Sequence, residues 1–409
     1  MAGQVCFLLE SSPHTFLLFQ SESRPTDPTA EVEKQRSEWK NPLFSDRERY
    51  GEFHTLFPHL IKQPAKFVEY FGMNYETFKY ILTGIDIVIK PKGMESNFEV
   101  CISPEERLAL TLRFMSTGIA FRSLSFLFRI SHCDISKIIY ETCIAIWEQF
   151  VLKHMPYLTE ELLEQTAKEY ENIRRYPNCV ATISSIQFCN KCPKNSDLDD
   201  SSSNKLYYIN LQGLVDSKYK FLSVEAVTNE HQNEGSFFLE SALYKHLEEG
   251  TFPFPGPRPL PGTATKHPYV VVGDQRYPLK EYLMRPYTSG SEKISPTIEA
   301  FNIRHNQAKE AADRAFGILV AKWKCLKTGL QMDQQHVDTL VTTACLLHNI
   351  IIDKEGVMDA NMLPNSVSVT KSSRSSVTRS QCRLKNYNRA SQEAHKIRDI
   401  FKTYFKYHY

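Results

Sequence analysis

The sequence predicts a mixed α/β (α+β) protein, in which an all-helical part precedes a part where strands and helices alternate. Apolar residues recur at helical spacing between residues 39 and 163. Short β-branched and aromatic runs replace that pattern between residues 179 and 273, which is typical of strands. Helical spacing returns in 298–324 and 336–352. The chain has 409 residues, of which 42% are hydrophobic, so it is long enough for two or three packed units.

The overall charge is nearly balanced, with 49 Lys and Arg against 47 Asp and Glu. Any nucleic-acid binding must therefore come from local basic patches. The ten cysteines are scattered and mostly lie in apolar runs, which indicates free thiols in a reducing compartment. No basic region precedes the apolar runs at the N-terminus, and Glu10 separates them, so we expect neither a signal peptide nor a membrane span. The expected location is the nucleus or the cytoplasm.

Residues 1–38 are interpreted as a flexible leader, because 20–38 are polar and charged and include two prolines. Residues 39–163 form the predicted helical region. Its clearest helix begins at Ser103, which is followed by proline and glutamates in the first turn, and it ends at Gly118.

Two predicted helices, 122–128 and 134–150, are joined by a short polar turn and have the spacing of a helix-turn-helix. The basic residues around them are Arg122, Arg129, His132 and Lys137. The longer helix is otherwise rich in isoleucine, whereas a helix that reads DNA bases carries more Arg, Lys or Asn. We therefore favour a packing role over specific base recognition, and both interpretations remain open.

The alternating part is predicted to contain strands at 180–186, 207–214, 221–227 and 269–272. A hairpin turn at 216–219, a short helix at 241–248, a loop at 252–268 and a helical turn at 278–283 complete it. Three sequential strands, a helix and then a strand match the start of an RNase H-like sheet. In that arrangement, acids at the ends of the first and fourth strands and on a later helix converge on one edge.

The acids at these places are incomplete. Asp274 follows the fourth predicted strand, and Asp313 lies in an Ala-rich helical run. The first predicted strand offers Ser184 where a third acid is expected. A strand-end acid and a helix acid are two thirds of a metal-dependent site for phosphoryl transfer. The sequence therefore predicts a nuclease scaffold with impaired chemistry.

A series of short segments in collinear order over residues 39–356 resembles the PIF/Harbinger transposase family and its host-domesticated relatives, the harbinger-derived nucleases. The segments include Gly51-Glu52-Phe53, Phe71-Gly72-Met73, Tyr176-Pro177-Asn178-Cys179, Val215-Asp216-Ser217-Lys218-Tyr219, Leu260-Pro261-Gly262-Thr263, Val271-Val272-Gly273-Asp274, Tyr282-Leu283-Met284-Arg285-Pro286-Tyr287, Ala315-Phe316-Gly317 and Leu346-Leu347-His348-Asn349. The resemblance implies an RNase H-like DDE endonuclease domain at 164–356, behind a helix-turn-helix-like region at 39–163.

The resemblance also implies the metal ligands. The first acid of the family corresponds to Ser184, the second to Asp274, and the third, normally a glutamate, to Asp313. The implied cofactor is Mg²⁺ or Mn²⁺, which prefer carboxylate oxygens. Serine is a neutral, poor ligand, and aspartate in place of glutamate shortens the reach by about 1.3–1.5 Å.

Each of these positions has a structural alternative. Asp274 is otherwise a turn residue after a buried strand, and Asp313 an ion-pair partner of Lys309 four residues earlier. If the strand before Asp274 continues, Arg276 lies on the same face and its guanidinium neutralises Asp274. Rescue by the acids of a polar loop is disfavoured, because a loop does not hold them at a strand end. Those acids are Asp197, Asp199 and Asp200.

Three further motifs are interpreted structurally. Cys189 and Cys192 form a CxxC pair with no second pair nearby, so ordinary thiols are favoured over zinc. His348 and Asn349 lie late in an apolar helix, where packing or capping is favoured over catalysis. Glu234 is interpreted as a turn residue that orients the edge of the site.

Residues 357–409 are predicted to be a Ser-rich basic tail that ends in a helix at 390–407. Its basic residues, with no acid among them, are Lys371, Arg374, Arg379, Arg383, Lys385 and Arg389. Such a segment binds phosphate in a salt-sensitive, sequence-independent way. The alternative is a solvated linker.

The favoured hypothesis is a harbinger-transposase-derived nuclear protein, catalytically impaired, that acts in DNA or chromatin association or in protein interactions. The alternative is an active, divalent-metal-dependent DNA endonuclease with a degenerate triad. A helical scaffold without a nucleic-acid role is the third hypothesis. The expected partners are DNA and, from the resemblance, a Myb-like DNA-binding protein, with no membrane.

Overall fold

The computed structural model describes residues 4–6, 42–89, 102–191, 206–229, 237–288, 295–328, 330, 332, 334–357 and 390–408. It is a mixed helix-and-sheet structure, as the sequence predicts. Within the described parts of the chain, none of the helices combines the length and apolar character needed to span a bilayer.

The first part of the chain is helical. Its helices are α1 Pro42–Ser45, α2 Arg47–Tyr50, α3 Glu52–Ile61, α4 Pro64–Phe71, α5 Tyr75–Ile89, α6 Pro104–Thr117, α7 Phe121–Phe128 and α8 His132–His154. The predicted cap of α6 is confirmed, because the Ser103 hydroxyl accepts the Glu106 N–H at 3.2 Å. The helix ends at Gly118, which adopts the left-handed conformation (φ 67°) and is closely covered by Thr328.

Helix α9 (Glu160–Arg174) leads into a six-stranded sheet. The strands are β1 Gln4–Cys6, β2 Cys179–Lys191, β3 Leu206–Val215, β4 Phe221–Asn229, β7 Val270–Val272 and β8 Leu283–Met284, in the order β1-β4-β3-β2-β7-β8. Neighbours among β1 to β4 are antiparallel, whereas β7 is parallel to β2 and β8 is parallel to β7. A separate antiparallel pair is formed by β5 (Arg258–Pro259) and β6 (Lys266–His267).

Helices cover both faces of the sheet. The later ones are α10 Phe237–Glu240, α11 Ala242–Glu248, α12 Pro296–Lys322, α13 Cys325–Thr328, α14 Gln334–Glu355 and α15 Gln392–His408. Apolar residues of α9 and α11 pack with β2, β7 and β8 in one core cluster. Residues of α12, α14 and α15 belong to two further clusters that contain the other buried strand residues. The sheet is therefore a buried central layer.

Three predicted segments differ from the structure. Residues 278–283 are not a helical turn, because Leu283 and Met284 form the fully buried edge strand β8. The predicted loop at 252–268 contains the short pair β5–β6. The predicted leader contains β1, which pairs with β4. Strands of two or three residues are too short to show a period, so only pairing with a neighbour defines them.

The helical part shares its core with the sheet. One continuous cluster contains residues of α3 to α8 together with residues of β3, β4, α12 and α14. Helix α8 packs against α5, α6, α7 and α14. The predicted boundary between residues 163 and 164 falls inside α9. The division at this boundary stays a prediction about organisation.

Candidate functional site

Parallel pairing of β2 with β7 places the first two predicted positions at corresponding points along the chain. The predicted strand 180–186 is longer in the structure, Cys179–Lys191, so Ser184 lies inside β2 and not at a strand end. Strands β2 and β7 are parallel neighbours, and Thr182 lies opposite Val272. Ser184 lies two residues after Thr182, and Asp274 lies two residues after Val272. Ser184 is 5% exposed and pairs with Gly213 of β3, so the pleated backbone fixes its position.

Asp274 is held by Arg276. The Arg276 backbone N–H donates to Asp274 Oδ1 at 2.8 Å, while the guanidinium Nε and Nη2 donate to Oδ2 at 3.0 and 2.8 Å. Burial by itself would raise the pKa of Asp274. The bonds and charge of Arg276 and the charge of Lys309 outweigh burial and hold this pKa below its usual value.

The contact between these residues arises from a turn and not from a continued strand. Strand β7 ends at Val272, and the Tyr277 N–H donates to the Asp274 carbonyl at 3.2 Å. The predicted pairing of Arg276 with Asp274 is therefore present, but the predicted route was wrong. The Asp274 side chain also accepts the N–H two residues on, which is the usual geometry of an Asx-turn.

Helix α12 presents three polar residues to the end of β7, spaced four apart so that they share one face. Lys309 Nζ lies 2.6 Å from both carboxylate oxygens of Asp313 and 4.0 Å from Asp274 Oδ2. One turn earlier, His305 is fully buried and its Nε2 donates to the Gly273 carbonyl at 2.6 Å. Burial lowers the pKa of His305 to about 4, so the ring is neutral at pH 7.

The structure therefore places both predicted acids around one ammonium group. The ion pair of Asp313 with Lys309 is the structural alternative that the sequence analysis gives for this acid. Its four-residue spacing can be recognised in the sequence. The approach of Lys309 to Asp274 and the contact of His305 with Gly273 have no sequence signal, because they join residues from different elements.

The residues present do not fit a divalent metal. Mg²⁺ and Mn²⁺ need several oxygen ligands with available lone pairs. Here Asp274 is paired with Arg276, Asp313 is paired with Lys309, and Ser184 is neutral. Across the ranges that the structure describes, no group of three or more His, Cys, Asp or Glu side chains is placed to hold a metal ion.

The two helices predicted at 122–128 and 134–150 are present as α7 and α8. Residues Ile135, Ile139, Ile146 and Phe150 of α8 are nearly or fully buried, and this helix packs against four others. Near the turn, the exposed side chains of α8 are those of His132, Cys133 and Lys137. These contacts support a packing role for α8.

His348 and Asn349 hold the β3–β4 hairpin. His348 Nε2 donates to the Tyr219 carbonyl at 2.8 Å. Asn349 Oδ1 accepts the Phe221 N–H at 2.8 Å, and its Nδ2 donates to the carbonyls of Phe221 at 2.7 Å and His154 at 2.9 Å. These contacts support the packing role that the sequence favours.

Several predicted residues lie outside the described parts of the chain. These are Cys192, Asp197, Asp199, Asp200, Glu234, Lys371, Arg374, Arg379, Arg383, Lys385 and Arg389. Their predicted roles stay predictions.

Comparison with known proteins shows what this part of the chain is similar to. A family model described as a DDE superfamily endonuclease matches residues 184–349. The Arabidopsis thaliana "Protein ALP1-like" is 28% identical over 71% of this chain and 72% of its own length. A second Arabidopsis thaliana protein, "Antagonist of like heterochromatin protein 1", is 27% identical over 70% of this chain and 73% of its own length.

The Mus musculus protein "Putative nuclease HARBI1" is 21% identical over 62% of this chain and 68% of its own length. No solved structure matches the chain at a significant level. The chain carries a DDE superfamily endonuclease domain, and its relatives are domesticated derivatives of Harbinger-type transposases. This confirms the resemblance drawn from the sequence.

Proposed function

We propose that this chain is a Harbinger-transposase-derived nuclear protein with impaired nuclease chemistry, which acts by associating with DNA or chromatin or with other proteins. The observation that carries the proposal is Ser184, a neutral residue on the strand beside Asp274. DDE superfamily endonucleases generally use divalent metals. Without a carboxylate at position 184, the two remaining acids lack the ligand that bridges metal ions in such sites.

We propose an RNase H-like fold for the sheet. Its support is the strand order β4-β3-β2-β7-β8, in which three antiparallel strands are followed by two parallel ones. In that fold the acids lie on or after the first and fourth strands of this series, which here are β2 and β7. We assign those positions to Ser184, within β2, and to Asp274, two residues after β7, and the third to Asp313 on α12, which shares Lys309 with Asp274.

Association with DNA or chromatin is supported by two features. The basic residues between 371 and 389 are of the type that neutralises phosphates. The name of one relative refers to a heterochromatin protein. A separate Myb-like partner would supply sequence recognition, in line with the buried α8.

The alternative is an active metal-dependent endonuclease with a degenerate triad. The observation in its favour is that Asp274 and Asp313 still lie around one ammonium group, so two acids remain together at the expected edge. Activity by this route requires a metal ion to displace Lys309 and Arg276 from them.

Plasmid nicking separates the two functions. Supercoiled plasmid is incubated with the full chain and Mg²⁺ or Mn²⁺, beside Asp274→Asn, and nicked product is measured. We expect no metal-dependent nicking by either protein. Nicking by the unmodified chain that is lost in Asp274→Asn would establish the alternative and overturn impairment.

DNA association is measured with the same protein and plasmid by an electrophoretic mobility shift at increasing salt concentration. We expect binding that weakens as salt rises, because each neutralised phosphate releases a counterion. Replacing the six basic residues by alanine, with Lys66→Ala and Lys396→Ala as exposed controls, is expected to flatten this dependence. Affinity that does not fall with salt would argue against DNA association.

A further inference from the structure

The two acids of the site are balanced in charge by two side chains of the same chain. Asp274 and Asp313 contribute two negative charges, and Arg276 and Lys309 contribute two positive ones. We infer that these two cations take the place of the divalent metal and form a metal-free latch between the end of β7 and helix α12. The inference rests on the proposed function, because it assigns positions 184, 274 and 313 to the three acid positions of the family.

The hydrogen bonds of the latch use every carboxylate oxygen of both acids. Oδ1 of Asp274 accepts the backbone N–H of Arg276, and its Oδ2 accepts two bonds from the guanidinium. Both oxygens of Asp313 lie 2.6 Å from Lys309 Nζ. A metal ion coordinates through these same oxygens, so it must first displace the cations.

Lys309 is fixed by the helix on which it lies. Its side chain is 15% exposed, and α12 is anchored to the strand end by the bond from buried His305 to the Gly273 carbonyl. This bond sets the position of the helix relative to the residue before Asp274. The ammonium is therefore placed between the two acids by the packing of α12 and not by chance contact of a long surface side chain.

The backbone of Arg276 is positioned by the turn after β7, and its side chain is 46% exposed. The next residue, Tyr277, is 3% exposed and belongs to the core cluster that contains Val271 and Leu283. Because Tyr277 anchors the turn in the core, the turn brings the Arg276 guanidinium into contact with the Asp274 carboxylate. A planar guanidinium bound through two N–H groups is a well-oriented partner for a carboxylate.

Adding the missing acid is not expected to be enough to restore a metal site. Ser184→Asp supplies the missing acid, but Arg276 and Lys309 still engage the other two acids. Metal binding therefore requires removal of the cations as well as addition of the acid.

Mn²⁺ titration of the full chain, followed by the paramagnetic resonance signal of free Mn²⁺, tests this. The proteins compared are the unmodified chain, Ser184→Asp, and the triple variant Ser184→Asp/Arg276→Gln/Lys309→Gln. We expect saturable binding in the triple variant that is at least about tenfold tighter than in the other two. Equal affinity in Ser184→Asp and the triple variant would overturn the latch.

A matched control removes two cations elsewhere. Arg314 pairs with Glu310 on the same helix, and Lys402 pairs with Asp399 on α15. Ser184→Asp/Arg314→Gln/Lys402→Gln therefore has the same net charge as the triple variant with the latch intact. We expect it to bind Mn²⁺ no better than Ser184→Asp. Binding as tight as in the triple variant would show that net charge controls affinity, which contradicts the latch.

Thermal unfolding keeps the inference testable if the triple variant does not fold. We expect the unmodified chain to have the same Tm in EDTA and in Mn²⁺, Lys309→Gln to have a lower Tm, and Lys309→Arg to recover part of the loss. A Tm of the unmodified chain that rises with Mn²⁺ would overturn the latch. Mn²⁺ binding by Ser184→Asp alone would refute the latch but leave impairment standing, whereas nicking by the unmodified chain refutes impairment itself.

Discussion

Asp216, in the hairpin between β3 and β4, is a buried acid whose ionisation opposes folding. Its Oδ1 accepts the N–H groups of Lys218 and Lys220, each at 2.8 Å, and it is 7% exposed. Burial raises the pKa of Asp216 to about 6, despite these bonds. The folded state therefore binds a proton that the unfolded chain releases near pH 4, so this residue lowers stability as pH rises from about 4 to 6.

Asp216→Asn removes the charge and keeps the acceptor oxygen of the turn. We expect the variant to be more stable than the unmodified chain at pH 7, by on the order of 1–2 kcal/mol. The difference should shrink as pH falls from about 6 towards 4, because the Asp216 carboxyl is protonated in the folded state below about pH 6 and in the unfolded chain only below about pH 4. Urea unfolding between pH 4 and pH 8 measures this, and a variant less stable at pH 7 would contradict the assignment.

The candidate site shows how far single residues can be interpreted from sequence. The neutral Ser184 and the pairing of Asp313 with Lys309 follow from order and spacing along the chain. The contact of Arg276 with Asp274 was expected from a strand and arises from a turn. The position of Lys309 beside Asp274 depends on how α12 crosses the sheet, which local sequence does not encode.

At the scale of elements, α14 joins the sheet to the helical part. Asn349 bonds both backbone groups of Phe221 at the start of β4 and the carbonyl of His154 at the end of α8. On the next turn of α14, Asp353 accepts from His154 Nδ1 at 2.7 Å and pairs with Lys220. The hairpin and the last turn of α8 are thus held by one helix.

Asn349→Ala leaves three buried backbone groups without their partners. We expect a loss of about 3–5 kcal/mol in the free energy of unfolding, because each unsatisfied buried group costs about 1–3 kcal/mol and the costs are only partly additive. Thr343→Val is the control on the same helix, since it removes one bond, to the Cys143 carbonyl. Chemical denaturation of both variants measures the difference in the free energy of unfolding. Equal losses would argue against the role of Asn349 in joining the hairpin to the end of α8.

Elements with strong local signals were predicted well, and short ones were not. The cap at Ser103, the stop at Gly118 and the hairpin turn at 216–219 each depend on one or two residues with a definite backbone preference. The edge strand Leu283–Met284 was missed, because its identity comes from pairing with β7.

At the scale of the whole molecule, the C-terminal helix is part of the core. Ala394, Ile397 and Phe401 of α15 are buried in the cluster that contains Tyr176 and Phe301. The ring of Phe401 lies 5.5 Å from that of Tyr176. The chain therefore returns to the sheet after the basic residues, and the predicted helix at 390–407 is a structural part of the domain.

Phe401→Ala tests this arrangement. We expect it to lower the free energy of unfolding by about 3–5 kcal/mol, the usual cost of removing a buried phenylalanine ring. Tyr407 on the same helix is 68% exposed, so Tyr407→Ala should change stability by less than about 0.5 kcal/mol. Thermal or urea unfolding measures both, and a neutral Phe401→Ala would show that α15 is not part of the cooperative unit.

The sequence by itself determined the resemblance to harbinger-derived nucleases, the order of the longer strands and helices, and the serine at position 184, because these depend on residue identity, period and collinear order. Tertiary structure decided which charges meet at the site. Lys309 and Arg276 approach Asp274 through a helix crossing and a buried turn. Tertiary structure also decided that α15 and the helical part share the core, because packing joins residues that are distant along the chain.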